Sequence, residues 1–380
     1  MSLLTVGVFA TSQKKQEKRV PIHPEQLNWI DEEVRQQLIF EEDYGLPFGL
    51  SNDKIKTLTG GVASREELFD QCDIALLAKP VQADFTMMKE GTIHWGWPHC
   101  VQQRDITQAA IDRKLTLIAW EAMHRWSKHG DWQMHIFHKN NEIAGYAGVM
   151  HAMSLAGIDG NYGPKRKAVV ISFGSVSRGA IRSLQLRGIH DITVFTQRHY
   201  VLVADQMSGV NYYHFEENEN GELVSLHPDR MSLPFVEELA DADIIVNGIL
   251  QDTDRPLMFV PEGQEGRLKQ DCLIVDVSCD EGMGFSFAKP TTFADPMFKV
   301  GQVQYYAVDH TPSYLWNSAS WEISHSLMPY LPIVMGGPES WTKSATIRRA
   351  IEIQDGVIQN PKILSFQNRA AEYPHSPEAK

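Results

Sequence analysis

Short apolar segments rich in β-branched and aromatic residues alternate with polar or helix-period segments along most of this chain, and this alternation constrains the fold most strongly. A strand followed by a helix, repeated several times, builds a mostly parallel sheet with helices on both faces. The first series of such strands comprises 4–9, 37–41, 74–78, 93–97 and 115–120. The second series comprises 168–173, 191–196, 243–249, 273–277 and 303–308. The sequence therefore predicts an α/β protein with two Rossmann-like domains built on parallel sheets.

Length and composition agree with this architecture and exclude several classes of protein. A chain of 380 residues, 43% hydrophobic and 22% charged, is typical of a globular protein of two domains. We expect neither a membrane span nor a signal peptide, because no apolar run reaches the required length and the first residues lack a basic segment. The net charge of −13 provides no basic surface for nucleic acid.

The cysteines and histidines are spaced in a way that does not indicate metal binding or disulfides. Four scattered cysteines without a CxxC pair indicate reduced thiols in a cytoplasmic protein. The fifteen histidines include no HExxH motif, so we expect no metal site.

Three segments stand apart from the strand series. Residues 142–157 mix small and apolar side chains, which predicts one helix between the domains that ends at Gly157. Residues 212–226 surround an Asn-Gly pair and predict a β-hairpin inserted into the second series. The tail 365–380 is polar and contains two prolines, so we expect it to fray.

The segment 168–181 carries the strongest local signal for a nucleotide, because an apolar strand enters a Gly/Ser turn and then a helix. The glycines do not match GxGxxG: aligned on Gly174, serine occupies the first and third positions. The candidate pyrophosphate-binding residues are Ser172, Gly174, Ser175, Val176, Ser177, Arg178 and Gly179. The alternative interpretation is an ordinary turn between a strand and a helix.

The end of the next strand indicates which nucleotide binds. NAD-binding units place an acidic residue there to accept the ribose hydroxyl, about 20 residues beyond the glycines. This chain has Thr196, Gln197 and Arg198 instead. Such side chains can donate hydrogen bonds to a 2′-phosphate, which a carboxylate would repel. The sequence therefore favours NADP, with NAD as the alternative, unless Arg198 is only a solvated loop residue.

Three basic residues follow strands of the first series. Lys79 comes directly after 74–78, His99 after 93–97, and Arg19 in the loop after the first strand. Because open α/β sheets carry their sites at the carboxyl ends of strands, these side chains could converge on one anionic group. Each residue alone also has an ordinary structural explanation.

Polar residues end two strands of the second series in the same way. Asp276 and Asp280 straddle the end of one strand. Asn247, Gly248 and Ile249 end the preceding one and are further candidate cofactor-binding residues. Glycines nearby allow the chain to turn over a ligand. The adjacent Cys279, like Cys100 in the first domain, is interpreted as a packing residue because no general base is specified beside it.

Taken in order, these motifs resemble the alanine dehydrogenase superfamily, which also includes transhydrogenase domains, fungal-type saccharopine dehydrogenases and N5-(carboxyethyl)ornithine synthases. The motifs are 18–21 (KRVP), 78–80 (AKP), 96–99 (GWPH), 144–149 (AGYAGV), the Gly/Ser turn, 246–249 (VNGI), 274–280 (IVDVSCD) and 310–313 (HTPS). Several are similar to the carboxyethylornithine synthase branch, and 274–280 and 309–312 are equally similar to the saccharopine branch. Alanine dehydrogenases carry an Asn-Met-Pro-Gly-type segment at 310–313 and a fuller glycine fingerprint, so alanine is disfavoured as the product.

The resemblance implies a domain arrangement and roles for the site residues. It implies a discontinuous substrate domain, 1–141 with 313–380, a dinucleotide-binding domain, 142–312, and a cleft between them. Arg19 would bind the carboxylate of a keto acid, and Lys79 and His99 would form the acid/base pair. Asp280 would lie near the nicotinamide and the substrate as a further catalytic residue.

The implied reaction is the NAD(P)H-dependent reductive condensation of a pyruvate-like 2-oxo acid with the amino group of an amino acid. The alternatives are an oxidative reaction like that of saccharopine or alanine dehydrogenases, and an inactive nucleotide-binding sensor. The expected partners are the small-molecule substrates, and a homo-oligomer stays open. The sequence assigns no role to residues 335–380.

Overall fold

The computed structural model describes residues 3–10, 12–228, 231–252 and 255–378. The chain divides into two compact units, one of Met1–His138 with Trp316–Lys380 and one of Lys139–Leu315. The first unit is thus discontinuous, and the divisions lie close to the predicted positions 141 and 313. Among the described residues, none of the helices combines the length and the apolar character needed to span a membrane.

The strands and helices follow the predicted alternation. The strands are β1 (Val6–Val8), β2 (Leu38–Glu41), β3 (Gly61–Ala63), β4 (Ile74–Leu76), β5 (Ile93–Gly96), β6 (Thr116–Ala119), β7 (His124–Trp126), β8 (Trp132–His135), β9 (Lys167–Ile171), β10 (Asp191–Thr196), β11 (Asn211–Glu217), β12 (Leu223–Leu226), β13 (Leu233–Pro234), β14 (Ile244–Asn247), β15 (Met258–Val260), β16 (Leu273–Asp276), β17 (Gly284–Phe285), β18 (Met297–Val300), β19 (Val303–Tyr306), β20 (Ile351–Gln354) and β21 (Val357–Ile358). The helices are α1 (Glu32–Arg35), α2 (Asn52–Lys56), α3 (Arg65–Gln71), α4 (Gln82–Met87), α5 (Arg104–Asp112), α6 (His138–Leu155), α7 (Ser175–Leu186), α8 (Phe235–Ala240), α9 (Trp316–Leu327), α10 (Leu331–Met335), α11 (Pro338–Trp341), α12 (Ala345–Arg348) and α13 (Pro361–Gln367).

The sheet of the first unit has the strand order β21-β20-β6-β5-β4-β1-β2-β3. Neighbouring strands from β6 to β3 are parallel, whereas β20 and β21 pair antiparallel at one edge. Apolar cores lie against both faces, which explains why these strands are continuous apolar runs in the sequence. Because β5, β4 and β1 are consecutive, the loops that follow them emerge side by side at one edge of the sheet.

The sheet of the second unit has the order β13-β12-β11-β10-β9-β14-β16-β19-β18. The six strands from β11 to β19 are parallel, and β12, β13 and β18 are antiparallel at the edges. The strand order reverses at β9, between β10 and β14, and such switch points are where open α/β sheets bind ligands. The predicted hairpin is confirmed as β11 and β12, and Gly157 follows α6 with a φ of +67°.

The prediction of mostly parallel sheets is confirmed, and antiparallel strands occur at the edges of both sheets. One expectation about the fold needs correction. The expectation of a fraying tail is wrong for residues 365–378. Gln367 and His375 are buried, and His375 Nε2 accepts a hydrogen bond from the Ile358 N–H at 3.1 Å. Polar composition suggested disorder, but these polar side chains are buried with hydrogen-bond partners.

Candidate active site

The three predicted cations of the first unit form one cluster around Trp97. Lys79 Nζ lies 2.6 Å from Nε2 of His99. The Arg19 guanidinium carbon lies 5.1 Å from the centre of the Trp97 ring, and Lys79 Nζ lies 5.8 Å from the same ring. Trp97 is almost fully buried, so its ring is held in place and makes a cation–π contact with each of the two side chains. The convergence predicted from the strand ends is therefore present.

Arg19 is held by a carboxylate that the sequence analysis did not select. Its Nε donates to Glu17 Oε1 at 2.8 Å and its Nη2 to Glu17 Oε2 at 2.6 Å, and both side chains are buried. Paired hydrogen bonds of this kind fix the plane of a guanidinium. Both residues lie in the irregular loop after β1, where no periodic sequence pattern indicates the pairing.

A second carboxylate, Glu121, lies against His99. Its Oε1 accepts the backbone N–H of His99 at 2.7 Å, while its Oε2 is buried without a hydrogen-bond partner among the described residues. Burial and, to a smaller extent, the nearby Glu352 carboxylate raise the pKa of the Glu121 carboxyl to about 7, and Lys79 opposes the shift. Glu121 follows β6, the neighbour of β5, so its position after a strand could have pointed to it.

The turn after β9 has the shape expected for an anion site. Ser172 has a φ of +81°, a conformation that favours glycine, at the position where GxGxxG has its first glycine. A Cβ added to Gly174 would meet no atom within 4 Å, so the turn is open there. Directly after it, Ser175 begins the 12-residue helix α7, whose first N–H groups can bind an anion. The residues present therefore fit a pyrophosphate.

Other residues of the glycine segment serve packing. A Cβ on Gly179 would collide with the carbonyl oxygen of Glu142, and a Cβ on Gly145 would collide with that of Val176, so α6 and α7 pack with close backbone contact. Arg178 donates to the carbonyl oxygens of residues 204 and 205 at 2.9 Å, and its guanidinium carbon lies 4.1 Å from the centre of the Phe173 ring. Gly179 and Arg178 thus support the turn, and their contacts give no sign of a pyrophosphate role.

The end of β10 presents the residues expected to select the nucleotide. Thr196 is buried, and its Oγ1 accepts the Arg198 N–H at 3.4 Å. The side chains of Gln197 and Arg198 are exposed beyond it. Because β10 is the direct neighbour of β9, these two side chains follow the strand beside the Gly174 turn.

The end of β14 packs against the neighbouring elements and supports the loop beyond β16. Asn247 is buried, and its Nδ2 donates to Asp276 Oδ1 at 3.0 Å, which ties the end of β14 to the end of β16. A Cβ on Gly248 would collide with the buried Ser177 hydroxyl. Ile249 is buried, and its N–H donates to Asn247 Oδ1 at 3.3 Å. In the structure, these three residues therefore pack and hydrogen-bond against residues of the same unit.

Asp276 organises the loop that carries Asp280. It accepts hydrogen bonds from the Tyr305 hydroxyl at 2.6 Å and from the Cys279 N–H at 2.9 Å. Burial raises the pKa of Asp276 to about 6, although these hydrogen bonds lower it. Asp280 is only half-buried, and burial raises the pKa of its carboxyl as well. Asp280 is thus the carboxylate of this loop that is open to a ligand.

Family models place the chain among known proteins. The model of the alanine dehydrogenase/PNT N-terminal domain matches residues 7–144, and that of the C-terminal domain matches residues 153–361. The chain belongs to the alanine dehydrogenase/PNT family. The resemblance inferred from the motifs is confirmed, and so is the predicted enzyme class, a nicotinamide-nucleotide-dependent oxidoreductase acting on CH–NH bonds.

Individual relatives cover nearly the whole chain. N(5)-(carboxyethyl)ornithine synthase of Clostridium botulinum is 27% identical over 337 residues, covering 85% of this chain and 92% of its own. Alanine dehydrogenase 1 of Staphylococcus aureus is 20% identical over 375 residues, covering 93% and 94%.

Two solved structures share the fold. An L-alanine dehydrogenase has a TM-score of 0.76 at 18% identity, covering 96% of this chain and 99% of its own. A transhydrogenase from Sinorhizobium meliloti has a TM-score of 0.67 at 16% identity, covering 94% and 99%.

Proposed function

We propose that this protein catalyses the reductive condensation of a pyruvate-like 2-oxo acid with the amino group of an amino acid, using NADPH. The observation that supports this most strongly is the 2.6 Å contact between Lys79 and His99, with Arg19 on the same Trp97 ring. A guanidinium binds a carboxylate, and a Lys–His pair transfers protons. Such neighbours suit a 2-oxo acid, in which a carboxylate adjoins the reacting ketone. The synthases among the relatives agree with this choice.

In the proposed reaction, Arg19 binds the carboxylate of the 2-oxo acid, and Lys79 and His99 contact the ketone oxygen. The amine adds to the ketone carbon and passes one proton to one member of the pair, while the ketone oxygen takes up a proton and becomes a hydroxyl. A further proton from the other member makes this hydroxyl leave as water, and the nitrogen lone pair forms the double bond to carbon, which gives an iminium that keeps one hydrogen on nitrogen. The reduced nicotinamide, when bound, supplies the hydride that saturates this carbon.

The short contact between Lys79 and His99 determines how protons move. At 2.6 Å the two nitrogens hold one proton between them, so one partner is a donor and the other an acceptor at any moment. This pairing gives the site one acid and one base in reach of the same atoms. Glu121, with its pKa near 7, is close enough to Lys79 to influence its charge.

The cofactor would be held by the second unit. We assign the pyrophosphate to the α7 N-terminus at Gly174 and Ser175, and the ribose phosphate to Gln197 and Arg198. The absence of an acidic side chain at 196–198 favours NADP over NAD. Asp280 is assigned to the nicotinamide end. A cytoplasmic location and self-association stay predictions.

A substrate matrix tests the proposal. The purified protein is incubated with pyruvate or 2-oxoglutarate, with ornithine, lysine or ammonia, and with NADPH or NADH, and oxidation of the cofactor is followed by absorbance. We expect the fastest turnover with pyruvate, an amino-acid amine and NADPH. Turnover with ammonia alone would indicate an alanine-dehydrogenase-like enzyme, and turnover with 2-oxoglutarate and lysine a saccharopine-like one. Nucleotide binding without turnover of any pair would indicate a sensor.

A further inference from the structure

The C-terminal segment, residues 351–378, received no role from the sequence, yet it packs directly on the turn that carries His99. It enters the first unit through β20, which pairs with β6, and continues into α13. The His99 turn, residues 99–103, lies between β5 and α5. The C-terminal segment therefore contacts the residues that directly follow His99, one member of the proposed acid/base pair.

Gln367 makes the central contacts. Its side chain is only 1% exposed, and its Nε2 donates to the carbonyl oxygens of Cys100 at 2.6 Å and Val101 at 3.1 Å. The same amide nitrogen lies 3.1 Å from the Thr107 hydroxyl at the start of α5. Its Oε1 accepts from Nε of Arg369 at 2.7 Å, which fixes which way the amide points. Gln367 thus connects the first residues of the His99 turn to α5.

A second residue of the C-terminal segment contacts the same turn. Oε2 of Glu352 lies 3.9 Å from Sγ of Cys100 and accepts a hydrogen bond from Asn360 at 2.6 Å. Burial raises the pKa of the Cys100 thiol, so the thiol is protonated and can donate to this carboxylate. Cys100 is therefore held at both its carbonyl oxygen and its side chain.

The backbone at His99 requires such support. His99 has a φ of +48°, in the left-handed region that residues with a Cβ rarely adopt. Unfavourable conformations of this kind persist only where the surroundings determine them, and they cluster at functional sites. The N–H of His99 is held by Glu121 at 2.7 Å, and the next two carbonyl groups are held by Gln367. The carbonyl oxygen of His99 itself accepts the N–H groups of Gln102 and Gln103, so Gln367 holds the two carbonyl groups that follow it in the turn.

We infer that Gln367 is a positioning residue for His99, through which the C-terminal segment sets the direction in which the imidazole meets Lys79. The inference rests on the proposed function in one respect, namely that His99 transfers protons. Proton transfer depends on a contact of 2.6 Å, so a small rotation of the His99 turn would lengthen it. A displacement of about 1 Å in a catalytic group can lower the rate roughly 100-fold.

The test replaces Gln367 by leucine, which keeps similar bulk and removes every donor. We expect kcat to fall about 10- to 100-fold while the affinity for NADPH is unchanged. Gln367→Met, which keeps the length of the side chain, serves if the leucine variant does not fold. The matched control is His375→Ala, because His375 is buried in the same segment and, among the described residues, its ring hydrogen-bonds to backbone groups of residues 358 and 370 and not to the His99 turn. This control should lose stability and keep its kcat.

A second readout requires no turnover. The histidines are labelled with ¹⁵N, and the resonance of His99 is assigned by its loss in His99→Gln. In cofactor-free protein we expect the Gln367 variants to shift the titration midpoint of His99, and His375→Ala to leave it unchanged. If the parent protein turns over no substrate pair but this shift occurs, the positioning role stands and the proposed function fails. A folded Gln367 variant with parental kcat and an unchanged His99 titration would overturn the inference, as would an equal loss of kcat in His375→Ala.

Discussion

At the scale of single residues, charged groups of the first unit are held by partners that fix their orientation. Glu17 holds Arg19, Glu121 holds the backbone of His99, and the Trp97 ring lies beneath two of the cations. Preorganisation of this kind is what an enzyme needs to place a proton donor within hydrogen-bond distance of a reacting atom.

Replacing His99 by glutamine tests the proton-transfer role. Glutamine keeps a polar side chain but cannot exchange a proton near neutral pH, so we expect kcat to fall roughly 10²- to 10⁴-fold. The affinity for the nucleotide, measured by quenching of protein fluorescence, should stay at the parental value. Full activity in a folded His99→Gln protein would remove His99 from the mechanism.

Replacing Glu121 by glutamine tests the raised pKa of its carboxyl group. A pKa raised from 4.5 to about 7 means that the folded protein holds this proton more tightly than the unfolded chain does. The stability that this provides is complete below pH 4.5 and is lost as the pH rises through 7. Glutamine does not titrate, so the stability of Glu121→Gln relative to the parent should increase between those two pH values.

Urea unfolding at a series of pH values measures this difference. Asp276 shifts in the same direction and is present in both proteins, so its contribution cancels in the comparison. A stability difference that is constant with pH would contradict the raised pKa.

At the scale of secondary-structure elements, the turn between β9 and α7 combines an open position with a tightly packed one. Gly174 has open space around it, whereas Gly179 lies against the backbone of α6. Glycine is thus suited to the two positions for different reasons: at 174 it leaves room for a ligand, and at 179 it allows α6 and α7 to pack closely.

Alanine substitutions separate these two reasons. Gly179→Ala should destabilise the protein by about 1–3 kcal/mol, because the methyl group forces α6 and α7 apart. Gly174→Ala should retain stability, since its φ of −84° suits alanine, and should weaken NADPH binding by covering the turn. Thermal unfolding and nucleotide titration of both variants check this. Equal stability of the two variants would contradict the assignment.

The proposed role of Arg198, at the end of β10, is tested by removing its charge. Arg198→Ala should weaken NADPH binding about 10- to 100-fold and leave NADH binding unchanged, because a charge-assisted hydrogen bond to a phosphate contributes about 1.5–3 kcal/mol. Arg255→Ala is the matched control, since Arg255 is an exposed arginine of the same unit that pairs with Glu217. A parallel loss for both nucleotides, or no loss for either, would show that Arg198 does not contact the 2′-phosphate.

At the scale of the whole molecule, the sequence correctly predicted the features that depend on local residue patterns, such as strand positions. The strand 191–196 matches β10 at both ends, whereas the expectation of a discontinuous substrate domain came from the family resemblance. The sequence missed contacts between distant residues: Gln367 is 267 positions from Cys100, and nothing near either residue reveals the pairing. The antiparallel pairing of β20 with β6 was missed for the same reason, because the two strands are far apart in the chain. Packing of distant segments thus accounts for the main errors.

The central claim is that the reduced nicotinamide delivers hydride to a carbon that began as the ketone of a 2-oxo acid and ends bonded to an amino-acid nitrogen. The direct measurement uses NADPH deuterated at the transferable position, with pyruvate and ornithine, and identifies the product by mass spectrometry and NMR. The account predicts a secondary amine with one deuterium on the former ketone carbon. Formation of a primary amine, of lactate, or of no product despite tight NADPH binding would contradict it.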